Sequence, residues 1–250
     1  MKTFFKIAAA SCLTFAAAPG AMASTILIDD FSAQQKVESV AGLNPSSSTL
    51  LTPTVIGGSR FLSVVTSPQN ATNTAPVAGT TLEATGTQGL PSDNTLQFAN
   101  STNQTGVATI RYDDNGLGLD DGIGDPGFDL TKGGILDKFF FEILTFDLLG
   151  TVFTATVEDA DGIVRTYTEN LAPTLSPFLA FSDPDFAGVD FTKVTSLAFG
   201  FDSSAVPNFD GALGSISVVP LPASALLLIG GLGGLFGVSA VGRRRRREEA

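Results

Sequence analysis
The chain has 250 residues, a formal net charge of −11, one cysteine, no histidine, no tryptophan and only two tyrosines. Without histidine it has no Ser-His-Asp or Cys-His arrangement and lacks the commonest general base and zinc ligand, and its acidity disfavours nucleic acid as a partner. Few Trp and Tyr disfavour a strong sugar-stacking surface, and a single cysteine gives no intrachain disulfide.

Residues 1–23 have the layout of a cleaved signal peptide. Lys2 and Lys6 form a positive start, and Ile7–Ala17 is apolar but well short of the roughly 20 residues that span a bilayer. Pro19 and Gly20 end any helix there. Ala21 and Ala23 supply the small residues a signal peptidase reads, so cleavage is expected between Ala23 and Ser24. Cys12 falls inside the discarded peptide.

Residues 24–218 form one passenger domain. It keeps seven of the 14 Lys and Arg and 23 of the 25 Asp and Glu, a net charge of about −16. Short segments rich in Val, Ile, Thr and Phe, divided by Gly, Pro, Asn, Asp and Ser, predict strands in chain order. These are Thr25–Asp30, Arg60–Thr66, Thr80–Ala84, Thr95–Asn100, Gly106–Tyr112, Lys138–Phe146, Thr151–Glu158, Ile163–Asn170, Phe178–Ser182, Val194–Phe201 and Ser215–Val218. Thr151–Val157 and Ile163–Thr168 each alternate toward one buried face, and Asp161-Gly162 between them predicts a tight hairpin. Segments 41–58 and 67–79 are small, polar and proline-containing, and read as long loops. No helical period appears, so the fold class is all-β, a two-sheet sandwich.

The acidic segment 113–129 interleaves Asp113, Asp114, Asp120, Asp121, Asp125 and Asp129 with glycine. Ca²⁺ takes six to eight oxygens on a flexible loop, so this is a candidate Ca²⁺ site, although the spacing fits no EF-hand. A solvated acidic loop is the competing reading. A second candidate joins Asp29 or Asp30 to Asp210. Glu158, Asp159 and Asp161 could pair as acid and base, but they fall on the expected hairpin tip and read better as a solvated turn. Of Phe139-Phe140-Phe141, the strand pleat sends Phe140 opposite to its neighbours, which favours burial in a two-sided core over a ligand-stacking patch.

Residues 219–250 have three parts. Val219, Pro220, Leu221, Pro222 and Ala223 form a rigid extended start, since each proline fixes φ and biases its predecessor away from helix. Residues 223–242 are uncharged and long enough for a transmembrane helix. Arg243, Arg244, Arg245, Arg246 and Arg247 form a basic stop that stays cytoplasmic, placing the passenger on the periplasmic side. This layout resembles the PEP-CTERM sorting domains, in their VPLPA-type variant. The resemblance implies processing by an exosortase, a membrane protease or transpeptidase, after an inner-membrane intermediate, and transfer to the cell surface or release.

The passenger is similar in layout to jelly-roll carbohydrate-binding modules, through Ile28-Asp29-Asp30-Phe31 near its start, Val194–Phe201, and Ala212–Val218 as a closing edge strand. Three functions stay open. The first is a non-catalytic surface or matrix protein associated with biofilm or exopolysaccharide. The others are a Ca²⁺-dependent glycan-binding module and a secreted carboxylate-based hydrolase.

Overall fold
Alternation along the strands decides which side of each is buried, and the apolar sides of two sheets meet in one core. The structure, a computed structural model, describes residues 25–40, 45–67, 79–86, 94–113, 127–146, 150–171 and 177–220. One sheet runs in the order β11 (Phe178–Ala180), β8 (Leu136–Phe146), β13 (Asp210–Pro220), β6 (Leu96–Asn100), β5 (Gly79–Ala84), β2 (Gln35–Val40), with β1 (Ile26–Asp29) also on β13. The other runs β10 (Val164–Asn170), β9 (Val152–Asp159), β12 (Val194–Asp202), β7 (Thr105–Tyr112), β4 (Ser59–Ser67), β3 (Ser46–Leu51). All neighbouring strands are antiparallel. Between the sheets Phe139 meets Phe199 edge-on at 5.7 Å and Phe141 meets Phe153 at 5.2 Å. Such aromatic pairs add to the large apolar area each ring buries.

All eleven expected strands form, within a few residues of their predicted ends except the last, which starts five residues earlier, at Asp210. Among the described residues two additional strands form, and they carry weak signals. β3, with the sequence SSSTLL, lies inside the segment read as a loop; it is an edge strand held by full-length pairing with β4. The same segment also buries Val55 and Ile56 beside a short 3-10 turn. β2, with the sequence QKVESV, turns Val37 and Ser39 inward and pairs with β5.

Three further expectations need correction. β10 buries no face fully: it is an edge strand whose side chains are exposed or half-buried, with Tyr167 alone of them packed against the core. The hairpin before it does form, with Gly162 at φ 75°, a left-handed conformation that glycine adopts without strain. The closing strand is not an edge. β13 lies between β8 on one side and β6 then β1 on the other, and it buries Leu213, Ile216 and Val218. It also runs past Val218, pairing Val219 with Lys138 and Pro220 with Leu136.

Candidate functional site
Two polar regions lie at either side of β1's end, and consecutive residues supply them. Asp29 turns inward and is fully buried. Both oxygens of its carboxylate accept from Arg60 Nη1, at 3.1 and 2.9 Å, and the group also accepts from the Tyr112 hydroxyl at 3.0 Å and from the Phe31 amide at 2.7 Å. Arg60, equally buried, also donates from Nε to Gln35 at 2.9 Å and from Nη2 to the Ala33 carbonyl. Gln35 in turn donates to the Ser48 carbonyl at 2.8 Å. This knot joins β1 and β2 of one sheet to β3, β4 and β7 of the other. Burial, and then the neighbouring Asp29 carboxylate, hold the Tyr112 hydroxyl well above the ordinary tyrosine range.

The knot overturns the second calcium candidate. The Asp29 charge is answered by a guanidinium, and Asp210 stands opposite Ala99 while Asp29 stands opposite Ile216. That register separates them by about six residues of β13, roughly 20 Å. Sequence reading noticed the Asp29-Asp30 pair but missed Arg60 and Tyr112, because partners 31 and 83 residues away leave no local signal.

Asp30 goes the other way. With Asn94, Thr95, Glu142, Leu144, Gly214 and Ser215 it lines a groove of about 400 Å³ on the outward face of the larger sheet. Ser215 donates to Glu142 Oε2 at 2.8 Å, and Asp30 Oδ1 accepts from the Ser32 amide at 3.0 Å. Gly214 keeps the groove open: a Cβ there would stand 2.8 Å from the Glu142 carboxyl. Two residues before Glu142, on the same face of β8, Phe140 packs on Phe178 with ring centroids 5.3 Å apart. Lys138 Nζ sits 5.6 Å from the Phe178 ring, and Phe178 remains 48% exposed. Phe139 and Phe141 are core residues as expected, whereas Phe140 is only half-buried and belongs to an outward aromatic pair. The groove therefore offers carboxylate, hydroxyl and amide groups beside an apolar platform, a set that hydrogen-bonds and stacks on polyhydroxylated ligands.

Several of the other predicted residues fall among the described ones. Asp113 is buried at the end of β7 and pairs with Arg111 at 2.6 Å, while its carbonyl accepts from Ser59 Oγ. Its charge is thus held by an arginine of its own strand end. Asp129 caps a turn, accepting from the Thr131 and Gly133 amides. Asp114, Asp120, Asp121 and Asp125 lie outside the described residues. Among the described residues no three His, Cys, Asp or Glu side chains gather as metal ligands. Asp159 is buried and accepts from the amides of Asp161, Ile163 and Asp190, so it braces the hairpin. Asp161 is exposed and pairs with Lys193 at 2.6 Å. Burial, and then Asp159, raise the Glu158 carboxyl above its ordinary value. The signal-cleavage residues Ala21, Ala23 and Ser24, the motif residues Leu221, Pro222 and Ala223, and Arg243–Arg247 lie outside the described residues, whereas Val219 and Pro220 end β13. Among the described residues no helix is long and apolar enough to cross a membrane.

No protein-family model matches the chain, and no curated protein matches it in sequence. Solved structures similar to it include the family 11 carbohydrate-binding module of the cellulosomal cellulase Lic26A-Cel5E of Clostridium thermocellum, at 10% identity and a TM-score of 0.35, covering 79% of this chain and 95% of that one. The family 11 module of the same organism in complex with a β-1,3-1,4-mixed-linked tetrasaccharide is similar at 12% identity and a TM-score of 0.37, covering 78% and 95%. Likeness at this level assigns neither ligand nor activity.

Proposed function
We propose that the chain is an exported, non-catalytic surface protein whose sandwich holds polysaccharide on the outward face of its larger sheet. The observation that carries this reading is the groove of Asp30, Glu142, Asn94 and Ser215 beside the exposed Phe178 and the half-buried Phe140 on which it packs. Carboxylates and amides there accept and donate to sugar hydroxyls, and the ring pair supplies an apolar surface for a pyranose face. The alternatives have less behind them. Two of the acids considered for hydrolysis are spent on the hairpin, Asp159 on its amides and Asp161 on Lys193. Of the calcium candidate's described members, Asp113 is paired with Arg111 and Asp129 caps a turn.

Export and sorting rest on the two ends of the sequence. The signal peptide directs the passenger across the inner membrane, residues 223–242 hold it there, and an exosortase acts on Val219–Ala223. The domain then reaches the cell surface or the extracellular matrix. Affinity electrophoresis of residues 24–220 through gels containing neutral polysaccharide tests the binding reading. Retardation that persists in chelator and falls several-fold in Phe178→Ala and Glu142→Gln is expected. Retardation that vanishes with chelator favours calcium-dependent binding instead. Chain shortening of the polysaccharide, abolished in Glu142→Gln, would make it a hydrolase.

A further inference from the structure
The first two residues of the sorting motif belong to the fold. Val219 pairs with Lys138 and Pro220 with Leu136, with a register shift between them. Their footing differs from that of the residue before them. Val218 is fully buried and paired on both sides, with Phe139 of β8 and with Ile26 of β1. Val219 and Pro220 are half-buried and pair with β8 alone. Pro220 also has no backbone N–H to give to that ladder. The sandwich thus grips the start of the motif, and the grip weakens sharply after Val218.

A protease that takes its substrate as extended backbone pairs with that backbone and encloses it, and sheet pairing with β8 already occupies one edge of Val219–Pro220. Cleavage breaks one peptide bond: the new amine leaves with the tail, and the acyl carbon passes to water or an acceptor nucleophile. We propose that the folded passenger restrains its own processing, because the last two rungs of β13 on β8 must open before the whole of Val219–Ala223 can enter the enzyme. The proposal rests on the reading of 219–250 as a sorting signal. Opening stops at Val218, where burial and two-sided pairing hold, so the passenger stays folded while the motif is read. Local opening of this kind, at a strand end with few buried contacts, lies at the low-energy end of native-state fluctuations.

Two variants of the full chain test this, followed by pulse-chase in a host that processes the parent. Inserting Gly-Ser-Gly-Ser between Val218 and Val219 removes the motif from the sheet, and processing is expected to quicken on the order of tenfold. The insert also adds room beside the membrane, so a second variant changes only the ladder. Lys138→Cys with Val219→Cys places two thiols directly opposite each other, within disulfide reach. The only other cysteine, Cys12, is in the signal peptide. The oxidised pair is expected to stay full length until a reductant is added, while the single Val219→Cys chain is processed. An insert processed at the parent's rate, or an oxidised pair processed as fast as the reduced one, overturns the restraint alone. A parent that keeps its tail in the mature surface fraction overturns the sorting reading and the restraint with it.

Discussion

Around Asp29 every charge is answered from within the protein, whereas around Asp30 and Glu142 the carboxylates line a surface groove. The first region has Arg60, Tyr112, Gln35 and the Phe31 amide converging on a fully buried carboxylate. The second has two acids, no Lys or Arg among its described lining residues, and hydroxyl and amide neighbours. The same residue type, one position apart, thus becomes a staple between sheets or a binding group according to which way the strand end faces. A buried charge must be paired inside, because leaving it bare in low dielectric is costly. An outward one can keep its lone pairs for water or for a ligand.

The largest expected effect comes from opening the knot. Asp29→Ala leaves Arg60 buried without its anion and should destabilise the domain by about 3–5 kcal/mol, read from the urea midpoint. Replacing both partners together, Asp29→Leu with Arg60→Met, should recover most of that loss, since no bare charge remains. A double variant as unstable as the single one would mean the knot contributes more than charge balance.

A smaller effect is expected at the hydroxyl. Tyr112→Phe removes one donor to the buried carboxylate, a loss of about 1.5–3 kcal/mol. The same group gives a pH signature. Tyr112 is raised by burial and then by Asp29, and Tyr167 is pushed up to about 12 by burial and its bond to Glu169. In both, the folded chain favours the neutral phenol. Their stability contribution is therefore complete below the unfolded value near 10 and is lost as pH rises through the folded value. Absorbance titration, free of tryptophan, should show no phenolate near pH 10 in the folded protein and both in denaturant. A phenolate appearing near pH 10 without unfolding would contradict the buried setting of Tyr112.

Much of the fold is legible because strand signals are local. Thr151–Val157 announces β9 through simple alternation, and Asp161-Gly162 announces its turn. β3 is not legible, since three serines have little strand preference and pairing with β4 supplies what propensity lacks. The sites divide similarly. The tail motif is contiguous and readable, but the knot and groove each draw residues from several strands far apart in sequence. The Phe139–Phe141 run allowed the face of each ring to be assigned, yet not that β11 would bring Phe178 against Phe140.

At the groove, shape can be altered with little cost to the fold. In Gly214→Ala the new methyl meets the end of the flexible Glu142 side chain rather than backbone. Stability should therefore change by less than about 1 kcal/mol, while displacement of Glu142 from Ser215 lowers polysaccharide retardation. Unchanged retardation would remove Glu142 from the binding surface.

The smallest stability effect, and the sharpest contrast, comes from making one chemical change at two neighbouring positions. Asp30→Asn keeps a carbonyl oxygen able to accept from the Ser32 amide, and among the described residues the buried cation Arg60 pairs with Asp29 instead. Its unfolding midpoint should stay within about 0.5 kcal/mol of the parent. Retardation by polysaccharide should nonetheless fall, because a strong acceptor facing the groove has become a weaker, neutral one. Asp29→Asn should do the reverse: it leaves the Arg60 charge unbalanced inside the sandwich and costs several kcal/mol, while any part of the population still folded keeps the groove and binds as the parent does. Measuring both variants for stability and for retardation separates the two regions cleanly. If Asp30→Asn destabilises as much as Asp29→Asn, the outward carboxylate is part of the scaffold, and the groove loses its claim to be a binding surface.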